Sequence, residues 1–184
     1  MPEGFVQRAL ELGWRGGFTA GGDDHSSHPG DLTLRGGTPP RTPGLLAVRA
    51  TDKTREAIFQ ALYDRRCYGT TGARIIVDFS VNGALMGAEL WLEEMPELHD
   101  ARRLSIGVHG TDVVEKIEVV RSNDVLLTHE GTSCDEATSV EDVAPFDLVA
   151  LPPGPHWPTP FLFYYLRITQ ADGEMAWVSP VWVS

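Results

Sequence analysis

The sequence predicts an α+β protein in two parts: a mixed α/β segment over residues 1–74, followed by an antiparallel β-sandwich over residues 75–184. Three observations carry that expectation. Apolar residues up to about Arg74 follow mixed helical and strand periods, whereas from Ile75 onward nearly every apolar run is strand-like. The first part reads helix, strand, loop, strand, helix, an alternation that points to α/β architecture with parallel strands. The second part is punctuated by tight-turn pairs, Asn82-Gly83, Ser122-Asn123 and Asp172-Gly173, which argue for a sandwich of about seven strands.

Element by element, GFVQRALELGW places Val6, Ala9 and Leu10 on one helical face, and Gly13 falls where a helix end favours a left-handed residue. GGFTAGG reads as a short buried strand, with the charged cluster at its C-terminal end. GLLAVRA is a second apolar strand. TDKTREAIFQALYDRRC is a helix with Thr51 or Thr54 as its cap and Ala57, Ile58, Ala61 and Leu62 as its buried stripe. Ile75, Val77, Phe79 and Val81 then alternate with Arg74, Ile76, Asp78 and Ser80 ahead of the Asn82-Gly83 turn. Further strands are expected at RRLSIGVHG, VEKIEVVRS, DVLLTHE, FDLVALP, PFLFYYLRITQ and EMAWVSPVWVS, with a polar loop from Glu130 to Asp142. Phe161, Phe163 and Tyr165 on one face of a strand, with Tyr164 on the other, read as sandwich core and cover.

At 184 residues and 42% hydrophobic content, the chain can bury a substantial core. Its formal net charge of −11 opposes binding to a phosphate backbone, and no Lys/Arg stripe with interleaved aromatics offsets it, so nucleic-acid partners are not expected. No run approaches the roughly 20 apolar residues that span a bilayer, and the N-terminus lacks a signal core. The expectation is a cytoplasmic protein without a membrane partner. Cys67 and Cys134 form no C-x-x-C pair, and their spacing leaves both two free thiols and one disulfide open.

The stretch FTAGGDDHSSHPGD, Phe18 to Asp31, concentrates the chemistry-bearing residues. In extended backbone, residues two apart point to the same side, so Asp23 and His25 can face one ion while Asp24 faces away. A carboxylate and an imidazole make a normal mixed donor pair for zinc, manganese or iron. His28, and less directly Asp24, are candidates for a further metal or substrate contact. The competing interpretation is a polar surface loop whose carboxylates cap nearby amides. His99, His109, His129 and His156 lie in loops or strand ends of the second part and are expected to be exposed or structurally bonded. No P-loop, G-x-S-x-G elbow or dinucleotide fingerprint occurs.

VQRALELGWRGGFTAGGDDHSSHPG, LLAVRATDKTREAIFQALYDRRCYGTTGARIIVDFSVNG and the terminal GEMAWVSPVWV together resemble the C-terminal part of bacterial proteins related to the PHP (polymerase and histidinol phosphatase) metal-dependent phosphoesterases. The resemblance implies a partial PHP-like α/β segment followed by an appended sandwich. The family's late G-S-D-x-H motif aligns with Gly21-Gly22-Asp23-Asp24-His25, so the resemblance implies Asp23 and His25 as metal ligands. The family's other ligands lie upstream of that motif, where this chain has about twenty residues and no histidine.

Two functions follow as expectations. The first is the C-terminal portion of a divalent-metal phosphoesterase-like hydrolase acting on a phosphorylated small molecule and catalytically incomplete alone, because a multinuclear site needs several ligands. The second is a non-catalytic β-sandwich interaction module with a vestigial loop. An incomplete α/β segment also exposes apolar helix faces, which the chain's own sandwich or a homo-oligomer is expected to cover.

Overall fold

The computed structural model describes residues 5–22 and 43–184. The chain opens with α1 (Val6–Glu11), continues in extended backbone to Gly22, and resumes at Pro43 ahead of β1 (Leu45–Val48). There follow α2 (Arg55–Tyr63), β2 (Cys67–Thr70), β3 (Ile76–Val81), β4 (Ala84–Leu85), β5 (Glu89–Leu90), a 3₁₀ turn at Pro96–His99, β6 (Arg102–His109), β7 (Val114–Arg121), β8 (Asp124–Glu130), β9 (Asp135–Asp142), α3 (Phe146–Val149), β10 (Leu162–Gln170) and β11 (Met175–Val183).

Among the described residues these strands form two sheets. One runs in the order β1-β2-β11-β10-β7-β8, with β5 pairing in parallel to β11; the other is β4-β3-β6-β9. Val77, Phe79 and Val81 of β3 and Leu104, Ile106 and Val108 of β6 face Ile117, Leu166, Ile168 and Val178 of the larger sheet in one buried cluster. Two-residue turns set the registers: Asn82 and Gly83, and likewise Ser122 and Asn123, take the paired positive φ that matches the twist of adjoining strands.

The expected α/β segment is not what forms. The protein is predominantly antiparallel β, with three short helices among the described residues. β1 and β2 pair antiparallel, Leu45 opposite Thr70 and Val48 opposite Cys67, and β2 in turn pairs antiparallel with β11 from Thr70–Ala176 to Tyr68–Val178. Local alternation of helix and strand suggested parallel crossovers, but the exposed edge of β11 decides the direction of β2. β2 is buried along its whole length there, a tertiary gain that outweighs local pattern.

Smaller differences have similar causes. α2 is present and Thr54 caps it, its hydroxyl accepting the Ala57 N–H at 3.2 Å. Of the stripe Ala57, Ile58, Ala61 and Leu62, however, only Ala61 is buried, because β1 is an edge strand and among the described residues no further layer lies over the helix. GGFTAGG is extended but is not a strand. FDLVALP begins with α3 rather than a strand, and the expected loop Glu130–Asp142 is largely β9, whose alternating exposed positions made it read as polar.

Candidate functional site

Asp23, Asp24, His25 and His28, the four residues singled out in the sequence, lie outside the described residues. The structure does describe both ends of the loop that carries them. The segment approaching Asp23 crosses the outer face of the larger sheet and is held there by a closed set of hydrogen bonds. Phe18 N–H donates to Ser179 Oγ at 2.7 Å, Ser179 Oγ donates to the Cys67 carbonyl at 2.5 Å, and the Cys67 thiol donates to the Phe18 carbonyl at 3.5 Å. Burial pushes the Cys67 thiol pKa up, against the lowering effect of Ser179, so this sulfur is held in its neutral form.

Two glycines let the chain lie this close. A methyl group on Gly69 of β2 would stand 2.9 Å from Ala20 Cβ and 3.1 Å from the Thr19 carbonyl carbon. On Gly44 it would stand 2.9 Å from Ala20 Cβ and 3.1 Å from the Thr70 carbonyl oxygen. Ala20 therefore sits wedged between the strand that leaves the loop and the strand beside it. The two ends of the loop meet: a methyl on Gly22 would be 3.1 Å from Pro43 Cβ.

Beneath this base runs an aromatic ladder. Trp91, Trp157, Phe161, Phe163, Tyr165 and Phe18 follow one another with ring centroids 5.5–6.5 Å apart. Trp157, Phe161, Phe163, Tyr165 and Trp182 form a second buried cluster, closed from outside by Leu10 of α1. Arg15 lies over Trp157 at 4.4 Å and pairs with Glu89, which also holds Arg65. The outer layer is thus tied to the sheet by apolar contact, stacking and ion pairs.

Between α1 and the outer face of the sheet opens a groove of about 730 Å³. Its walls are Val6, Ala9, Leu10 and Trp14 on one side and Phe18, Thr19 and Ala20 on the other; its floor is Gly69, Trp177, Tyr165 and Arg167. Pairing explains the floor, since Gly69 is opposite Trp177 and Trp177 opposite Arg167, so all three project to one face. Arg167 Nε lies 3.2 Å from Glu118 Oε2.

The remaining histidines are structural or exposed. His129 Nε2 lies 3.0 Å from Glu136, whose carboxyl is held below the usual range by His129 and by the amides of Thr132 and Ser133. His109 Nδ1 meets Asp135 at 2.7 Å, while His99 and His156 contact Phe146 and Trp14 edge-on. Among the described residues, no three His, Cys, Asp or Glu side chains gather as a metal site. Both cysteines are free thiols, Cys67 buried and Cys134 exposed. No helix among the described residues is long and apolar enough to cross a membrane.

Sequence reasoning missed a buried ionic centre. Arg102, fully buried, donates through Nε to Tyr164 Oη at 3.0 Å and through Nη2 to the Ala144 carbonyl at 2.6 Å, with Asp142 Oδ2 3.0 Å away. Tyr164 Oη donates to Asp142 at 2.5 Å, and Arg121 donates to both Asp142 oxygens at 3.0 Å. Burial pushes the Tyr164 hydroxyl pKa far up, so it remains a donor. Arg102 is the first of two adjacent arginines at the start of a strand, and nothing in the sequence marks it as the buried one. The geometry ties the end of β9 and the 3₁₀ turn to β10, and it is sealed from solvent, so it is structural.

A family model described as Protein of unknown function (DUF3604) matches residues 23–111, a span that starts at Asp23 and includes β1, α2 and all of β2 to β6. Uncharacterized proteins of Chlamydia trachomatis serovar D and Chlamydia pneumoniae are 41% and 39% identical over 99% of this chain. One of Chlamydia muridarum is 39% identical over the same share. The chain spans 29% of the length of each of these relatives. No solved structure matches it. The chain is therefore similar, along almost its whole length, to one part of three much longer chlamydial proteins, and over its Asp/His loop and first strands to the DUF3604 family.

Proposed function

We propose that this chain is the ligand-bearing C-terminal portion of a PHP-like, metal-dependent phosphoesterase, with Asp23 and His25 supplying a carboxylate and an imidazole to a divalent metal. His28 and Asp24 are the further contacts to metal or to the substrate's phosphate. In such a site the metal polarises a phosphoryl oxygen and lowers the pKa of a bound water. Two side-chain donors fall short of a multinuclear centre, so the chain binds metal without turning over substrate, and the remaining ligands belong to a region outside it.

The observation that carries this reading is the construction of the loop base. A ligand pair works only when its backbone is held within a few tenths of an ångström by a supporting shell. Ala20 and Gly44 are packed against β2 at contacts that Gly44 and Gly69 make possible, Gly22 stands beside Pro43, and Ser179 and Cys67 pin Phe18 a few residues upstream. The reading is also in keeping with a family match that begins at Asp23 and with relatives more than three times as long.

Calorimetric titration of the chelator-stripped chain with Mn²⁺ tests it. One site per chain, lost in Asp23→Ala and in His25→Ala, with no hydrolysis of p-nitrophenyl phosphate, is the expected result. Absence of binding would refute the ligand role, and turnover by the isolated chain would refute its incompleteness.

A further inference from the structure

The groove beside the loop base has the size and lining of a small-molecule site. Its volume of about 730 Å³ falls within the roughly 300–1,000 Å³ typical of ligand pockets, and such pockets join apolar walls to a few polar groups. The walls here are Val6, Ala9 and Trp14, with Trp177 in the floor. The polar group is Arg167. Glu118 lies 3.2 Å from its Nε, yet that buried nitrogen has no hydrogen-bond partner among the described residues. Arg167 is the one charged residue among the described residues that line the groove.

We infer that this groove binds a small anionic amphiphile, its flat apolar body lying between Trp177 and α1 and its anionic group paired with the terminal nitrogens of Arg167. Arginine presents its donors as a planar fork suited to a carboxylate or phosphate, and Glu118 lies on the Nε side of that fork. The far end of the groove is bounded by Thr19, Ala20 and Gly69, the residues that form the loop base. The groove therefore holds the apolar, anionic remainder of the phosphoester whose phosphate meets the metal, an assignment of role that rests on the reading above. Binding itself does not.

The test is titration with 1-naphthoate in the presence of chelator, followed through tryptophan fluorescence, beside the neutral analogue 1-naphthalenemethanol. The expected result is saturable binding of naphthoate, about tenfold tighter than the neutral analogue, in line with one charge-assisted pair. Arg167→Met should abolish that preference while leaving the weak apolar binding, and Ala9→Phe should fill the groove and abolish both. Circular dichroism confirms that each variant is folded. No saturation up to the solubility limit, or naphthoate binding unchanged in folded Arg167→Met or Ala9→Phe, overturns the inference. Because metal is absent from this titration, groove binding with no metal affinity would sink the hydrolase reading alone, and metal affinity with no groove binding would sink the groove alone.

Discussion

Gly22 and Pro43, twenty-one positions apart, stand side by side at the foot of the Asp/His loop, close enough that a methyl on Gly22 would lie 3.1 Å from Pro43 Cβ. The described residues on either side of the Asp/His segment therefore stand together, next to Ala20 and Gly44, which are packed against β2.

Gly69→Ala is expected to loosen this base. The new methyl would press on Ala20 Cβ at 2.9 Å and on Thr19 backbone at 3.1 Å, neither of which is the far end of a flexible side chain. A cost of about 1–3 kcal/mol is expected for such overpacking, read as a lowered urea midpoint. Metal affinity should fall with it, although the substitution touches neither Asp23 nor His25.

The Arg102–Asp142–Tyr164 centre should behave as a sealed structural network. Arg102→Met leaves Asp142 buried with a lost partner and is expected to cost about 3–5 kcal/mol, while metal binding per folded molecule stays unchanged. Chemical denaturation and metal titration of the same samples separate the two effects.

Acid should remove part of that stability. Burial by itself would raise the Asp142 pKa, but hydrogen bonds from Tyr164, Arg121 and Arg102 outweigh it and hold the carboxyl below its usual value. A depressed folded pKa contributes stability that is complete above the unfolded value of about 3.9 and is lost as pH falls through the folded one. The difference in unfolding free energy between the parent and Asp142→Asn should accordingly be constant from neutral pH down to about pH 5 and shrink below about pH 4. A gap independent of pH down to the acid transition would contradict this.

Among the described residues, no layer covers the outer face of α2. Phe59 and Tyr63 are 66% and 73% exposed and stack on each other at 6.4 Å. A double Phe59→Ser/Tyr63→Ser variant should lower binding of a hydrophobic reporter dye severalfold, with stability changed by only about 0.5 kcal/mol, as for exposed positions elsewhere. Unchanged dye binding would show that the reporter reads another surface.

The sequence made the sandwich legible where side chains obey one rule at a time. Val77, Phe79 and Val81 alternate because one face of β3 is wet and the other is core, and Asn82-Gly83 sets its turn. Gly13, at φ +84, ends α1 as its residue type suggests. Legibility failed where partners distant in sequence decide the outcome. The direction of β2 depends on Ala176–Val178 of β11, more than a hundred residues away, and local helix–strand alternation pointed the wrong way. β9 resembled a loop because its exposed positions are acidic, hydroxyl-bearing or small, yet Arg102 to His109 pairs with it along its whole length. The Asp/His loop could be singled out by residue type, but its clamp could not: nothing local to Gly69, Ser179 or Cys67 announces that Ala20 and Phe18 lie against them.

Above all, Asp23 and His25 are expected to act as a metal-ligand pair. Elemental mass spectrometry of protein purified without chelators, beside an Asp23→Ala/His25→Ala variant handled identically, tests it most directly. The expected result is about one zinc, manganese or iron per parent chain and none in the variant, both proteins being folded. Parent and variant equally metal-free, even after incubation with zinc and manganese, would contradict it and make the β-sandwich the place to look for function.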